Sequence, residues 1–123
     1  MPTIRTPEFR RALLRARRQL LRTVAATEEE LAALEGRLPS ELAEGASTKA
    51  AAAVLARLDE QERRELGDIE AALARVAAGT YGLCARCGGG IPVTRLRALP
   101  AADRCLTCAA RAERGRRARG GPS

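Results

Sequence analysis

Two cysteine pairs carry the clearest chemistry in this sequence. Cys84-Ala85-Arg86-Cys87 and Cys105-Leu106-Thr107-Cys108 stand 17 residues apart, within the spacing that builds a four-thiolate zinc site from two CxxC turns. Four protein ligands fill a tetrahedral ion, so the spacing predicts one structural Zn²⁺ with no open position for catalysis. Gly88-Gly89-Gly90 follow the first pair and are expected to supply positive φ angles that bring backbone N–H groups toward the sulfurs. A redox reading of CxxC requires strand–helix alternation, which the chain lacks. Zinc bound to four thiolates adds local negative charge, which Arg86 and Arg104 beside the ligands can offset.

Composition removes other chemistries. The 123 residues contain no histidine, which excludes imidazole relays and His-ligated catalytic zinc, and no catalytic constellation replaces them. The expectation is a protein that is not an enzyme. Alanine and leucine dominate while Phe and Tyr occur once each and Trp not at all, which suits thin packed helices better than a thick core. No window approaches a membrane-spanning length, and Met1–Arg5 has no apolar signal region. A cytoplasmic protein without membrane contact is expected, with reduced thiols available to a metal.

The cysteines need a scaffold, and the apolar spacing supplies one. Residues 1–6 read as a disordered lead-in, with Thr6 capping a helix whose first turn takes Pro7. Phe9, Leu13, Ala16, Leu20, Val24, Thr27, Leu31, Leu34 and Leu38 then form a heptad seam with one stutter, at 20 to 24. Pro39 to Thr48 read as the tip. A second seam runs through Leu55, Leu58, Glu62, Leu66, Ile69, Leu73 and Val76, with its own stutter around Glu62, and Gly79 ends it. If the helices fold back near residue 43, positions whose numbers total about 86 face each other, and the two stutters meet at one level. Glu62 then needs an arginine such as Arg63 or Arg22, or a tilt to solvent. Helices of about 30 residues each would make a rod on the order of 45 Å long.

The predicted architecture is all-α: a coiled-coil hairpin over 7–79 with its tip near 39–48, a four-cysteine module with a terminal helix over 80–117, and a flexible basic tail over 118–123. The formal net charge is +7 but unevenly spread. Residues 1–27 hold seven Arg against Glu8, residues 28–44 hold six Glu against Arg37, and residues 84–123 carry a net +7. An arm acidic toward its tip points to a cationic protein surface or a metal-rich site as the tip's partner.

The run Tyr81-Gly82-Leu83-Cys84-Ala85-Arg86-Cys87-Gly88, continuing through Ile91-Pro92, Arg95-Leu96, Ala98, Pro100 and Ala102 to Cys105-Leu106-Thr107-Cys108, resembles the zinc-finger signature of the DksA/TraR family. A helical hairpin before the finger and a helix after it resemble the family layout. The resemblance implies a transcription regulator that binds bacterial RNA polymerase by inserting its coiled-coil tip into the secondary channel, without sequence-specific DNA binding of its own. The family's tip motif, Asp-x-x-Asp-x-Ala, falls on Glu41-Leu42-Ala43-Glu44-Gly45-Ala46, so Glu41, Glu44 and Ala46 are the implied partner-binding residues. Both acids are one methylene longer than the family's. Positions that resemble the family's sites for the alarmone ppGpp hold Asp68, Leu99 and Ala109, so a ppGpp response is not expected, with Arg95, Arg97 and Arg104 left as substitutes. Two other readings stand beside this one: a zinc-finger nucleic-acid binder using the basic base and tail, and a structural or dimerising coiled coil. The polymerase-binding reading expects a monomer.

Overall fold

The computed structural model describes residues 6–35 and 49–120. Among the described residues are six helices: α1 Thr6–Val24, α2 Glu28–Glu35, α3 Lys49–Arg57, α4 Glu60–Ala78, α5 Val93–Ala98 and α6 Leu106–Gly120. Among the described residues no strand occurs, and the one isolated bridge joins Leu83 to Gly90 in antiparallel sense. The expected tip, including Glu41, Glu44 and Ala46, lies outside the described residues, as do residues 1–5 and 121–123. Thr6 is the first residue of α1 rather than its cap. At the other end α6 runs to Gly120, so residues 118–120, expected to begin a flexible tail, are helical.

The hairpin is antiparallel, with α1 packed on α4 and α2 on α3. Arg17 meets Glu70 and Glu30 meets Arg57, one common register a single step from the expected total of 86. Instead of two continuous helices, each arm shows one break among its described residues. Thr27, expected on the seam, is the residue before α2, and its hydroxyl accepts the Glu30 N–H at 3.1 Å. Glu30 in turn accepts the Ala26 N–H at 3.4 Å. Glu62, also expected on the seam, instead completes a capping box. Asp59 accepts the Glu62 N–H at 2.7 Å and Glu62 accepts the Asp59 N–H at 3.0 Å. Polar side chains offer the backbone these local bonds in competition with the helix, and at both breaks the local bond prevails.

The two breaks face each other. Arg57 donates to the Val24 carbonyl at 3.1 Å and pairs with Glu30 at 2.5 Å, so one guanidinium closes the open end of α1 and ties it to α2. The most buried line on α1 is Phe9, Leu13, Arg17 and Leu21, spaced by four, while Ala16, Leu20 and Val24 are only half-buried. The most buried positions thus follow one i±4 row, with the seam residues Ala16, Leu20 and Val24 packed against the cores beside it. This ridge puts Arg17 in the interface, 4 % exposed.

Two apolar clusters result. One joins Leu21, Leu31, Val54, Leu58 and Leu66 across the outer half of the hairpin. The other begins with Phe9, Leu13, Ile69, Ala72 and Leu73 at the base, and continues without interruption into Tyr81, Cys84, Ile91, Leu96 and Cys108. The cysteine module thus shares its core with the rod that carries it. Gly79 lets the chain turn from one to the other: its φ of 77° allows N–H bonds back to Arg75 and Val76, a left-handed exit that glycine adopts with least strain.

Candidate metal centre

The first cysteine pair sits on a short backbone ribbon that begins at Gly82, whose φ is 89°. The Ile91 N–H donates to Gly82 O at 2.7 Å, and the Cys84 N–H donates to Gly89 O, also at 2.7 Å. The Gly88 N–H closes the turn onto Cys84 O at 2.9 Å. Of the three glycines expected at positive φ, only Gly88 is there, at 77°. At Gly89 a Cβ would make only an ordinary contact, 3.5 Å from the Cys87 sulfur, so neither backbone angle nor space requires glycine there.

Cys105 and Cys108 come from the start of α6, where the Ala109 N–H bonds to Cys105 O at 2.9 Å. A separate bond, from the Ala85 N–H to Asp103 O at 2.7 Å, holds the two pairs against each other. Arg95 on α5 donates to the Arg104 carbonyl at 2.9 Å and steadies the approach to the second pair. These connections place all four sulfurs within 4.8 Å of one another. Cys87 and Cys105 are 4.0 Å apart, well beyond a disulfide and close to the roughly 3.8 Å that a tetrahedral site with 2.3 Å Zn–S bonds requires.

The donor set fits one soft divalent ion. Backbone N–H groups of Cys87 and then Cys105 hold the Cys84 thiol down at about 6. The Cys105 thiol is also lowered, first by the Cys108 backbone N–H. Cys108 is pushed up to about 12, chiefly by its hydrogen bond to Cys105 and then by burial. The cluster therefore accommodates negative charge while keeping a proton that an incoming metal displaces. Cys84 and Cys108 are buried, Cys105 is half-buried and Cys87 is exposed, so the ion would sit near the surface, anchored on its inner side to the core.

Tyr81 links this centre to the rod. Its ring lies 5.6 Å from that of Phe9 on α1, and its hydroxyl donates to Pro100 O at 2.8 Å. Burial pushes its pKa up to about 12, so the hydroxyl stays a donor. Composition and spacing alone did not mark this residue as a link, because its partners lie on α1 and near residue 100.

A groove of about 460 Å³ opens where rod and module meet. Asp68, Leu99 and Ala109 do converge there, together with Arg95 and Arg104. Arg97 does not; its nearest acid is Glu8, at 3.8 Å. Asp103 and Glu113 also line the groove, so its charge is mixed.

Residues 79–114 match the family described as the prokaryotic dksA/traR C4-type zinc finger. An uncharacterized protein of Aquifex aeolicus is 43% identical over 61 residues, half of this chain and 42% of its own length. The RNA polymerase-binding transcription factor DksA of Haemophilus influenzae is 39% identical over 54 residues, 44% of this chain and 37% of its own. These matches span under half the length of the curated relatives. The solved structure of the transcription factor DksA2 from Pseudomonas aeruginosa superimposes with a TM-score of 0.59 at 30% identity, over 91% of this chain and 86% of that one. The four thiols thus belong to a zinc-finger site for one structural zinc.

Proposed function

The chain belongs to the DksA/TraR family of C4-type zinc-finger proteins, and from that premise we propose that it regulates transcription by binding bacterial RNA polymerase directly, with the tip of its hairpin in the secondary channel. A family of transcription factors, rather than of enzymes, is the setting for this reading. The observation that carries it is the likeness across nearly the whole chain to the solved transcription factor DksA2. The name of the Haemophilus influenzae relative supplies the partner.

In this reading Cys84, Cys87, Cys105 and Cys108 would hold the zinc, which would serve as a structural cross-link. The chain's own residues do the positioning. Phe9, Leu13, Ile69 and Leu73 continue into Tyr81 and Leu96 as one core, so the finger sets the angle at which the rod leaves it. Glu41 and Glu44 are the acidic groups offered to polymerase at the tip, with Ala46 beside them. The protein acts as a monomer and needs no sequence-specific DNA contact. The groove at the junction has Asp68, Asp103 and Glu113 around Arg95 and Arg104, a mixture that supports action without ppGpp, since carboxylates repel a polyphosphate. Among the described residues no helix is long and apolar enough to cross a membrane.

The test is capture of bacterial core polymerase by the zinc-loaded wild type and by a Glu41→Ala/Glu44→Ala variant, followed by a transcription assay with the same two proteins. Wild-type capture, with a transcriptional effect that the variant loses, is the expected result. A wild type that fails to capture polymerase ends the proposal.

A further inference from the structure

The outer face of α1 carries a row of arginines that the polymerase reading does not use. Arg11, Arg15, Arg18 and Arg22 are spaced 4, 3 and 4 residues apart, and all are exposed. At 100° per residue they fall within an arc of about 60°, on the side of the helix opposite Leu13, and span about 16 Å along its axis. Arg18 is already engaged. Among the described residues no carboxylate lies within ion-pair distance of Arg11, Arg15 or Arg22. Glu8, the one acid in the helix, faces Arg97 instead.

This arrangement opposes helix stability, because like charges at i, i+3 and i, i+4 repel. The partner helix shows the ordinary alternative. On α4, Glu60 pairs with Arg64 at 3.3 Å, and Glu65, Asp68 and Arg63 mix both signs along the exposed face. Arg11, Arg15 and Arg22 by contrast leave three positive charges together on one exposed face of α1.

We propose that Arg11, Arg15 and Arg22 form a binding strip for the phosphodiester backbone of duplex DNA, without sequence preference. Guanidinium groups suit phosphate geometry, and the strip's length covers the axial rise of about five nucleotides on one strand. A protein interface usually sets such arginines among aromatic or apolar side chains that are buried with them. The exposed large apolar side chains among the described residues, Leu83, Leu99 and Leu106, all lie in the finger module, while Leu14 on α1 packs against the core. Single-stranded nucleic acid would need stacking surfaces, yet the chain's two aromatic residues, Phe9 and Tyr81, are both buried. The strip occupies the half of the rod joined to the finger, leaving the tip free for a different partner.

The experiment measures anisotropy of a labelled 30-base-pair mixed-sequence duplex with the full zinc-loaded chain, in the absence of polymerase, across 20–200 mM salt. An Arg11→Gln/Arg15→Gln/Arg22→Gln variant should bind at least tenfold more weakly at the lowest salt. Its log–log salt slope should be shallower by about 3, at roughly 0.9 for each phosphate that is no longer neutralised. The corresponding triple lysine variant should restore the slope, and circular dichroism checks that both variants keep their helices. Absence of wild-type binding at 20 mM salt overturns the proposal. So does an unchanged slope in the glutamine variant, which would move the DNA-binding surface to the basic C-terminal segment. Tighter binding of a single strand, or displacement of the duplex by an equal charge of polyglutamate, overturns the choice of duplex DNA.

Discussion

The base and the outer half of this molecule are made from the same two arms but are held together differently. At the base, α1 and α4 share one core with the finger, in which Tyr81, Cys84 and Cys108 pack with Phe9 and Leu13. In the outer half the core is five aliphatic side chains, and both arms are interrupted where local caps displace the helical ladder. The ion pair that bridges the interruption is exposed. Arg57 holds the Glu30 carboxyl below its usual range, and Glu30 raises Arg57 in return. The difference teaches that a two-helix rod buries too little to hold itself straight unaided, and that a third layer supplied by the finger keeps the base continuous.

The largest effect should come from removing the metal. Chelation is expected to unfold the module over residues 80–114, since structural zinc contributes on the order of 10 kcal/mol to such modules. Hydrogen exchange should then show lost protection at Cys84, Ala85, Gly88 and Ile91, while the amides of Leu31 and Leu66 keep theirs. Simultaneous loss in both halves would break the comparison by making the molecule one cooperative unit.

A smaller effect tests what joins the arms near their middle. Arg17 meets Glu70 at 2.5 Å with little of either side chain exposed. Burial raises the Glu70 carboxyl, against the downward pull of Arg17. Arg17→Met should cost about 3 kcal/mol by leaving that carboxylate alone, and Arg17→Met/Glu70→Leu should recover most of the loss. The sign of the pH response follows. Without Arg17 the Glu70 pKa rises further, and protonation removes the buried charge, so the deficit of the single variant should shrink as pH falls from 7 toward 5. Urea denaturation at the two pH values checks it; a deficit that grows in acid would show that Glu70 is not the group responsible.

The smallest effect belongs to the outer half. Asp59→Ala removes one side of the capping box and should cost about 1 kcal/mol, read as exchange confined to the first turn of α4. Fraying that reached the finger would show that the break transmits disorder rather than absorbing it.

The zinc site was legible in the spacing of four cysteines because ligand identity and loop length are local properties. The antiparallel register was nearly legible too: the apolar pattern placed residue 17 within one step of its partner, since pairing along a rod follows from counting. The interruptions were written in the same residues but read differently. Thr27 and Glu62 fit a seam by spacing, while their short-range hydrogen bonds to the backbone favoured capping, and periodicity cannot weigh those two against each other.

What the amino-acid order determined on its own was the set of pieces: helices of given polarity, a metal-ligating pair at each end of a loop, and an acidic and a basic end. Tertiary structure alone decided that Arg17 is buried, that Tyr81 joins Phe9 to Pro100, that Asp68 and Arg104 line one groove, and that Arg11, Arg15 and Arg22 turn away from the acids of α4. Each of these depends on which side of a helix meets which neighbour across tens of residues. That choice is made by the packing of the whole molecule, where apolar burial summed over many side chains decides which faces meet.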